Sequence, residues 1–519
     1  MKHILSDRAL NREILRLSVP SILANLTVPL VGMVDTALAG HLVDADGGSA
    51  VFIGGISVGA MLLNLLYWNF FFLRTGTGGL TAQAFGRENR RECADIFFRG
   101  LAFAAAVALL ILVLQRPLAR LGLLVVSATP RVCELALRYF SVRIWAVPAT
   151  LGLMVFRGWF VGMQDSMSSM WTDLVVNITN IWASVVLTFG IFGWGGIGFD
   201  GIAAGTLVAQ YAGLAYAISV CFRKYRHVLG TVRREDAAEL LRARNMVPFL
   251  KMNGNLLGRS LCFTGIYMGY TIIASAFGDV LLACSSIMMQ LLMIFSYFTD
   301  GFAYAGEALS GRFIGAQDRV MLRKTVRYVF VWSMSIAVFS IGGYALTGEP
   351  LVRLFTSDDA VVETCRRFLP WLLVMPPLGC AAFTWDGIYL GATASRSLFL
   401  SMAVALLGFF ATWFGWRWLG GGAALTGAGG ASAAGMVVDG MATAGASVAG
   451  MVVDGASAAG AAAAGMVADG ASAAGMVAAG TAADICLHVL LAAYFVHLAA
   501  RTVCLSLTYR RDILSKVSA

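Results

Sequence analysis

The stretch LSVPSILANLTVPLVGMVDTALA, residues 17–39, holds a single charged side chain and is long enough to cross the hydrocarbon core of a bilayer as a helix. A second run of this kind, VFIGGISVGAMLLNLLYWNFFFL, follows at 51–73. Over the whole chain 59% of residues are hydrophobic, 13% are charged, and the mean hydropathy is +0.77. Soluble domains average about 25% charged residues, so this chain has too little charge to cover a water-facing surface. The sequence therefore predicts an integral membrane protein.

Ten further apolar runs bring the number of predicted transmembrane helices to twelve. We number them span 1 to span 12, and they lie near 17–39, 51–73, 97–115, 139–162, 170–192, 199–222, 249–276, 280–303, 327–347, 368–391, 397–418 and 484–507. Of the 38 Lys and Arg residues, 27 lie in the two terminal segments and alternate loops, against 7 in the opposite loops. This asymmetry predicts that both termini are cytoplasmic. The arginines after spans 3 and 9 are exceptions, and we expect short interfacial helices there.

Several classes of function are excluded by composition and spacing. The net charge of +9 does not indicate nucleic-acid binding, because the basic residues form no continuous stripe. The nine cysteines sit singly, without CxxC or metal-ligand spacing, which predicts reduced thiols and no metal site. No cleavable signal peptide precedes span 1. An intramembrane enzyme is not expected either, because His488 and His497 in span 12 are nine residues apart and so two and a half turns apart.

An internal repeat relates the two halves of the chain. A shift of 229 residues aligns glycines and prolines, which mark close helix approach and kinks. The pairs are Leu80 with Leu309, Gly86 with Gly315, Arg138 with Arg367, Pro148 with Pro377, Gly158 with Gly387, Gly162 with Gly391 and Ser166 with Ser395; a shift of 228 pairs Pro20 with Pro248 and Asn25 with Asn253. Six spans separate the copies, so both halves have the same orientation, as in transporters with parallel repeats.

The predicted fold is therefore an all-α integral membrane protein with twelve transmembrane helices in two six-helix lobes. Residues 1–222 form the first lobe, a basic cytoplasmic linker covers 223–248, and residues 249–519 form the second lobe. One segment does not fit the repeat. From 430 to 484 the chain reads as pentads that each begin with Gly, a period that matches neither helix nor strand. We interpret it as part of a low-complexity insertion at about 420–483, between spans 11 and 12, without a function of its own.

Polar residues inside the spans of the first half are the candidates for cation coupling, because ionisable groups are costly in a membrane and mark functional sites. Asp35 in span 1 is a carboxylate that can exchange a proton in a helix-lined cavity. Asn177, Asn180 and Ser184 share one face of span 5 at spacing i, i+3 and i+7, and Thr206 of span 6 can meet the same cavity. We assign Asn180, Ser184 and Thr206 to cation coupling with Asp35, and Asn177 to the substrate cavity. The alternative is that Asp35 is a structural hydrogen-bond partner of span 5 or 6 and that the others join helices.

The second half carries a second polar set, which we assign to a substrate cavity. Tyr297, Asp300, Tyr304 and Glu307 run along one face of span 8, and Asp386 lies in span 10. Three carboxylates therefore meet in this half. For Glu307 the alternative is a structural ion pair near the cytoplasmic end of the span, with either Arg312 or Arg74.

Four separated segments, in order along the chain, are similar to one transporter family. They are LANLTVPLVGMVDTALAGHL at 23–42, GLTAQAFG at 79–86, DGFAYAGEALSGRFIGAQD at 300–318 and DGIYLGATAS at 386–395. The first resembles the first helix of multidrug and toxic compound extrusion (MATE) transporters of the DinF subfamily, and the others resemble that subfamily's most recognisable segments. The resemblance covers nearly the whole chain apart from the pentads.

This resemblance implies two lobes around a V-shaped cleft, and cation-driven export of amphipathic, often cationic compounds. It assigns protonation to Asp35, which matches the family's acid in the first helix. Asn180 and Thr206 match the family's polar cluster in spans 5 and 6, but Ser184 stands where the family has Asp. Because a Na⁺ site needs several hard oxygen ligands, we expect proton coupling and no cofactor other than H⁺; Na⁺ coupling is the alternative.

The expected function is a proton-coupled multidrug efflux antiporter that works by alternating access in the cytoplasmic (inner) membrane of a bacterium. We expect a monomer whose partners are small amphipathic organic substrates and membrane lipids, with no nucleic acid. Another alternative is a flippase for a lipid-linked precursor or oligosaccharide. A flippase predicts a basic groove, whereas the predicted spans hold few basic residues, namely Arg143, Arg157 and Arg259.

Overall fold

Helices make up the regular structure of the chain. The computed structural model describes residues 7–42, 49–123, 129–190, 195–232, 242–277, 279–421 and 473–517. Within these ranges, 12 helices are long and apolar enough to cross a membrane. They coincide with the twelve predicted spans, and we keep the span numbers. The twelve-helix fold expected from the sequence is therefore confirmed.

The first six spans are Arg8–Gly40, Ala50–Phe70 with Phe72–Gly86, Arg90–Val113, Pro130–Arg143 with Val147–Gly162, Ser166–Phe189, and Phe199–Lys224. The last six are Ala243–Ser275, Asp279–Gly315, Arg319–Phe355, Asp359–Gly391, Ser395–Trp416 and Ala473–Asp512. Shorter elements are the α-helices Gln115–Leu123 and Arg226–Leu229, the 3₁₀ turns Ile144–Ala146 and Leu514–Lys516, and the π-helical turn Arg417–Gly421.

Most helices are longer than their apolar runs predict, because a helix continues into polar sequence until a turn stops it. Span 2 was predicted to end at residue 73, yet its helix continues to Gly86, one residue before the turn. The short helix expected after span 3 is present as Gln115–Leu123. The prediction of a second short helix after span 9 is wrong, because span 9 itself continues through Arg353 to Phe355. Arg74, which follows the predicted end of span 2, consequently lies inside a helix.

The pentad segment falls largely on 422–472, which lies outside the described residues. Its last residues, from Ala473 onward, begin the helix of span 12. The part of this helix that is long and apolar enough to cross a membrane begins at Asp484, where span 12 was predicted to begin.

The internal repeat reappears in the backbone geometry. Glu88 and Gln317 both have φ of 57°, and Gln164 and Thr393 have φ of 61° and 51°. Each pair is 229 residues apart, and each member lies in the turn after a long helix. Positive φ is uncommon for residues other than glycine, so its recurrence at the same offset indicates that both halves turn the chain in the same way.

Close helix approaches recur at the same offset. A Cβ atom on Gly158 of span 4 would lie 2.1 Å from the carbonyl oxygen of Arg74 in span 2. A Cβ atom on Gly387 of span 10 would lie 2.1 Å from the carbonyl oxygen of Ala303 in span 8. Positions 74 and 303 are themselves 229 apart, so the two glycines make equivalent backbone contacts in the two lobes.

Replacing Gly387 with Ala is expected to lower the melting temperature of the protein in detergent, because the new methyl group meets backbone that cannot rotate away. Overpacking of this kind costs about 1–3 kcal/mol. Gly342 of span 9 is the matched control, since a Cβ atom there has no neighbour within 4 Å. Gly342→Ala is expected to leave stability unchanged or raise it by up to about 1 kcal/mol. Equal melting temperatures for the two variants would contradict the close approach.

The two lobes, spans 1–6 and spans 7–12, meet at the end of the molecule that carries the basic loops. A Cβ atom on Gly86 would lie 1.9 Å from the carbonyl oxygen of Arg312, and one on Gly315 would lie 2.1 Å from the carbonyl oxygen of Gln83. Polar contacts reinforce this interface: Asp7 N to Tyr328 Oη at 3.1 Å, Trp332 Nε1 to Asn11 Oδ1 at 2.9 Å, Lys324 to Asp7 at 3.7 Å, and an ion pair between Arg312 and Glu13.

The buried apolar residues form two cores. The larger core is shared by both lobes, as the presence of Ile14 and Leu309 in it illustrates. The second core, which includes Tyr270 and Phe368, is built only from residues of spans 7–12. The lobes therefore share buried apolar surface as well as hydrogen bonds, and this interface positions the inner faces of spans 1, 2 and 8 against one another.

Candidate functional site

Three of the predicted polar residues of the first lobe lie together between spans 5 and 6. Asn180 Nδ2 donates to Thr206 Oγ1 at 2.9 Å, and Ser184 Oγ lies 3.5 Å from the carbonyl oxygen of Ile202. All three side chains are buried. The Oδ1 atom of Asn180 is buried without a hydrogen-bond partner among the described residues. The cluster therefore offers an acceptor oxygen that the rest of the fold does not satisfy.

Asp35 lies buried in span 1, with 5% of its surface exposed. Its Oδ1 atom has no hydrogen-bond partner in the described part of the chain. Its charged neighbour is Arg143 of span 4, whose guanidinium donates to the hydroxyl of Tyr139. The sequence pointed to spans 5 and 6 as the source of partners for Asp35, and span 4 was not expected. Its carboxylate thus sits away from water, next to one cation.

Span 1 is bound on two sides. On the side of its own lobe, Asn177 Nδ2 of span 5 donates to Thr27 Oγ1. On the side of the other lobe, Asn25 Nδ2 donates to the carbonyl oxygen of Tyr297 in span 8 at 3.4 Å. Asn177 was predicted as a cavity residue, and the structure places it at the contact between spans 1 and 5. Any movement of span 1 must break or exchange one of these contacts.

The predicted polar face of span 8 is present. Tyr297, Asp300 and Tyr304 are partly exposed, whereas Glu307 is buried. Glu307 packs against span 2 of the first lobe, because a Cβ atom on Gly78 would lie 2.2 Å from its Oε1 atom. Its Oε2 atom has no hydrogen-bond partner among the residues that the structure describes. The face therefore ends in a carboxylate pressed into the lobe interface.

Arg74 of span 2 reaches across this interface. Its guanidinium carbon lies 3.5 Å from the centre of the Tyr304 ring, within the range of a cation–π interaction. Its charge also acts on Asp300 and Glu307. Arg74 is 6% exposed, and its Nη1 atom has no hydrogen-bond partner within the described ranges. Of the two ion-pair partners considered for Glu307, Arg312 instead pairs with Glu13, and Arg74 is the cation near Glu307.

The carboxylate of Asp386 is held in ion pairs within the second lobe. Arg259 of span 7 and Arg501 of span 12 both donate to its Oδ2 atom. Arg501 is 1% exposed, and His497 lies within reach of its charge. The three carboxylates of the second lobe are therefore accompanied by cations, because Arg259 and Arg501 donate to Asp386 and the charge of Arg74 acts on Asp300 and Glu307.

Sequence analysis placed Arg74 just outside span 2, whose apolar run ends at residue 73, and did not assign Arg501 of span 12 to the site. A signal was available in both cases. Arg74 is followed by TGTGGLTAQAFG, which contains no charge, and Arg501 stands between LAA and TVCL. An arginine with uncharged helix-forming sequence on both sides belongs to the helix, and in a membrane it needs a partner.

The two lobes therefore offer different chemistry. The first holds a buried carboxylate, Asp35, for which no ion pair is found among the described residues, whereas Asp173 of span 5 is paired with Arg157; Asp35 is therefore suited to taking up and releasing a proton. The second holds acids, arginines and Tyr304 in one network, and so is suited to exchanging one cation for another. Among the described residues no group of three or more His, Cys, Asp or Glu is placed to hold a metal ion.

Comparison with protein families gives one match, which occurs twice in the chain. The MatE family model matches residues 20–186 and 256–416, one segment in each half. Together these segments cover more than half of the chain. The twofold match agrees with the repeat seen in the turns and in the glycine contacts.

Known proteins are similar to this chain over most of its length. The chain is 34% identical to the DNA damage-inducible protein F of Escherichia coli K12 over 80% of this chain and 87% of that protein. It is 23% identical to a probable multidrug resistance protein NorM of Photorhabdus laumondii, over 75% and 83%.

Solved structures share the fold at low identity. An outward-facing MATE family multidrug resistance transporter of the MOP superfamily has a TM-score of 0.74 at 13% identity, covering 98% of this chain and 97% of that one. A MOP superfamily transporter from Pyrococcus furiosus has a TM-score of 0.71 at 14% identity, with the same coverage.

Proposed function

Since this chain belongs to the MatE family of multi-pass membrane transporters, we propose that it is a secondary active antiporter that exports amphipathic, often cationic organic compounds in exchange for protons. The observation that carries the proposal is Asp35, a buried carboxylate in span 1 whose Oδ1 atom lacks a hydrogen-bond partner among the described residues. Relatives of the chain are transporters and not enzymes.

Proton coupling rests on the composition of the first lobe. The polar cluster Asn180, Ser184 and Thr206 is neutral, and Asp173 of span 5 is already paired with Arg157, so we assign the coupling charge to Asp35. Na⁺ prefers several hard oxygen ligands and a higher negative charge. Protonation of Asp35 removes its attraction to Arg143 and so changes what holds span 1 in place. Bending of span 1 at Pro20 or Pro29 then weakens substrate binding.

The substrate class is argued from the polar face of span 8 and from relatives. An aromatic ring with acids beside it recognises cations that also carry apolar surface. The Photorhabdus relative carries a multidrug resistance name, which agrees with a broad range of such compounds.

The loop charges and the similarity to the Escherichia coli protein support a location and an orientation for the chain. With the basic loops on the cytoplasmic side, both termini lie on the inner side of a bacterial inner membrane. The lobes contact each other at that same end, through Gly86 and Gly315 among others. In this arrangement the path between the lobes opens outward, and alternating access requires the contact to separate. The unit of function is a monomer, with membrane lipids around it.

Transport by the purified protein in liposomes tests this proposal. With rhodamine 6G as substrate, we expect an imposed proton gradient to drive export and a sodium gradient alone to have no effect. Export driven by sodium alone would overturn the coupling and favour the Na⁺ antiporter. Translocation of a fluorescent lipid-linked oligosaccharide, without movement of rhodamine 6G under either gradient, would favour the flippase.

A further inference from the structure

The interface between the lobes holds a cation that belongs to the protein itself. Arg74 extends from span 2 of the first lobe and places its guanidinium 3.5 Å from the centre of the Tyr304 ring in span 8. Asp300, one turn before Tyr304, and Glu307, one turn after it, feel the charge of Arg74. An aromatic ring between two acids is the set of groups that binds an organic cation. Arg74 thus occupies the place that such a ligand requires.

The charges of the second lobe balance only while Arg74 is present. The network of this lobe contains three acids and two bases, with His497 counted as neutral. They are Asp300, Glu307 and Asp386, against Arg259 and Arg501. The sum is one negative charge, which Arg74 neutralises. The other acid near Tyr304, Asp173 of the first lobe, is already paired with Arg157.

A buried uncompensated charge is costly, so in each conformation the network either holds a cation or takes up a proton on one of its acids. Arg74 belongs to the first lobe, whereas the acids belong to the second. When the lobes separate, Arg74 withdraws from Tyr304, and the place beside the acids becomes open to a mobile cation. Two atoms agree with an exchangeable contact, since Glu307 Oε2 and Arg74 Nη1 are both buried without a hydrogen-bond partner among the described residues.

We propose that Arg74 is a tethered cation, which fills the site formed by Asp300, Tyr304 and Glu307 while the lobes are in contact and which competes there with a cationic substrate. The ligand is an organic cation with apolar surface, such as a phosphonium or a quaternary ammonium ion. This inference rests on the proposed export of such compounds. It adds a device for release, because closing the interface brings Arg74 back and expels the substrate cation.

Binding of tetraphenylphosphonium to the purified full chain in detergent, followed by isothermal titration calorimetry, tests the proposal. Arg74→Gln removes the competitor and is expected to tighten binding about tenfold, whereas Arg74→Lys keeps the charge and stays near the wild-type affinity. The affinity for tetraphenylborate, an anion of the same shape, should not increase in Arg74→Gln. Unchanged or weaker phosphonium binding by a folded Arg74→Gln variant would overturn the proposal.

Two further variants separate the site from general loosening of the interface. Arg312→Gln breaks the ion pair with Glu13 between the same two lobes but leaves Tyr304 untouched, so the affinity should not change. An equal tightening by this control would assign the effect to lobe separation and reject competition. Tyr304→Leu in the wild-type background is expected to weaken phosphonium binding, and Tyr304→Phe to preserve it. Unchanged binding by Tyr304→Leu would overturn the site even where Arg74→Gln does not fold.

The outcome is distinguishable from failure of the proposed function. Asp35→Asn, which should stop proton-driven export, is expected to leave the gain from Arg74→Gln intact, because Asp35 lies in the other lobe beside Arg143. If Arg74→Gln binds tetraphenylphosphonium more tightly but the wild-type protein shows no proton-driven export, the proton coupling is rejected and the tethered cation is supported. If the wild-type protein shows proton-driven export but Arg74→Gln binds no more tightly, the tethered cation is rejected and the proton coupling is supported.

Discussion

Liposomes that contain the Asp35→Asn variant should show no proton-driven export above that of empty liposomes. Asparagine has nearly the shape of aspartate but cannot take up or release a proton, so the coupling step is lost while the packing of span 1 remains. Asp35 is buried, and its Oδ1 atom has no hydrogen-bond partner among the described residues, so the loss of the charge leaves no donor without an acceptor there. The measurement is the rate of rhodamine 6G movement under an imposed pH gradient.

Asp200 in span 6 provides a matched control for this substitution. Its carboxylate pairs with Arg138 at 2.6 Å, and the arginine is largely exposed. An exposed ion pair contributes about 1 kcal/mol or less, so Asp200→Asn should retain export. If Asp35→Asn exported at the wild-type rate under a proton gradient, the role assigned to Asp35 would be rejected.

The second large effect is expected from Asp386→Asn, which should destabilise the protein by about 3–5 kcal/mol. Two arginines, Arg259 and Arg501, donate to one oxygen of this carboxylate, and Arg501 is 1% exposed. Without the negative charge, the buried guanidinium of Arg501 and the partly buried guanidinium of Arg259 repel each other. The expected result is a large loss of melting temperature in detergent and of folded protein in the membrane.

Removal of the charge and of one partner together should recover part of this loss. Substitutions at residues that share one ion pair do not have additive effects on stability. The double variant Asp386→Asn with Arg501→Gln is therefore expected to be more stable than Asp386→Asn alone. Glu134→Gln is the control, since its pair with Arg131 is exposed and contributes about 1 kcal/mol or less. A loss for Asp386→Asn no larger than for Glu134→Gln would show that the buried pair does not hold the second lobe together.

The number of spans, the repeat and the polar cluster of spans 5 and 6 were predictable from the sequence. Each depends on local order along the chain. Apolar runs of sufficient length define the spans. Glycines that recur at a fixed offset mark the same contacts in both halves, as Gly158 and Gly387 show. Asn180 and Ser184 share a helical face by their spacing alone. The ends of the helices were less predictable, because hydropathy stops at the first charge and the helix does not.

The sequence by itself determined that this chain is a twelve-helix membrane protein with an acid, Asp35, inside its first span. These features follow from the cost of placing polar groups in hydrocarbon, which each segment meets independently. Only the tertiary structure decided which charges compensate each other. Asp386 and Arg501 are 115 residues apart, and Arg74 and Tyr304 belong to different lobes. The energy of a buried charge depends on its partners within a few ångströms, and those distances exist only after the helices have packed.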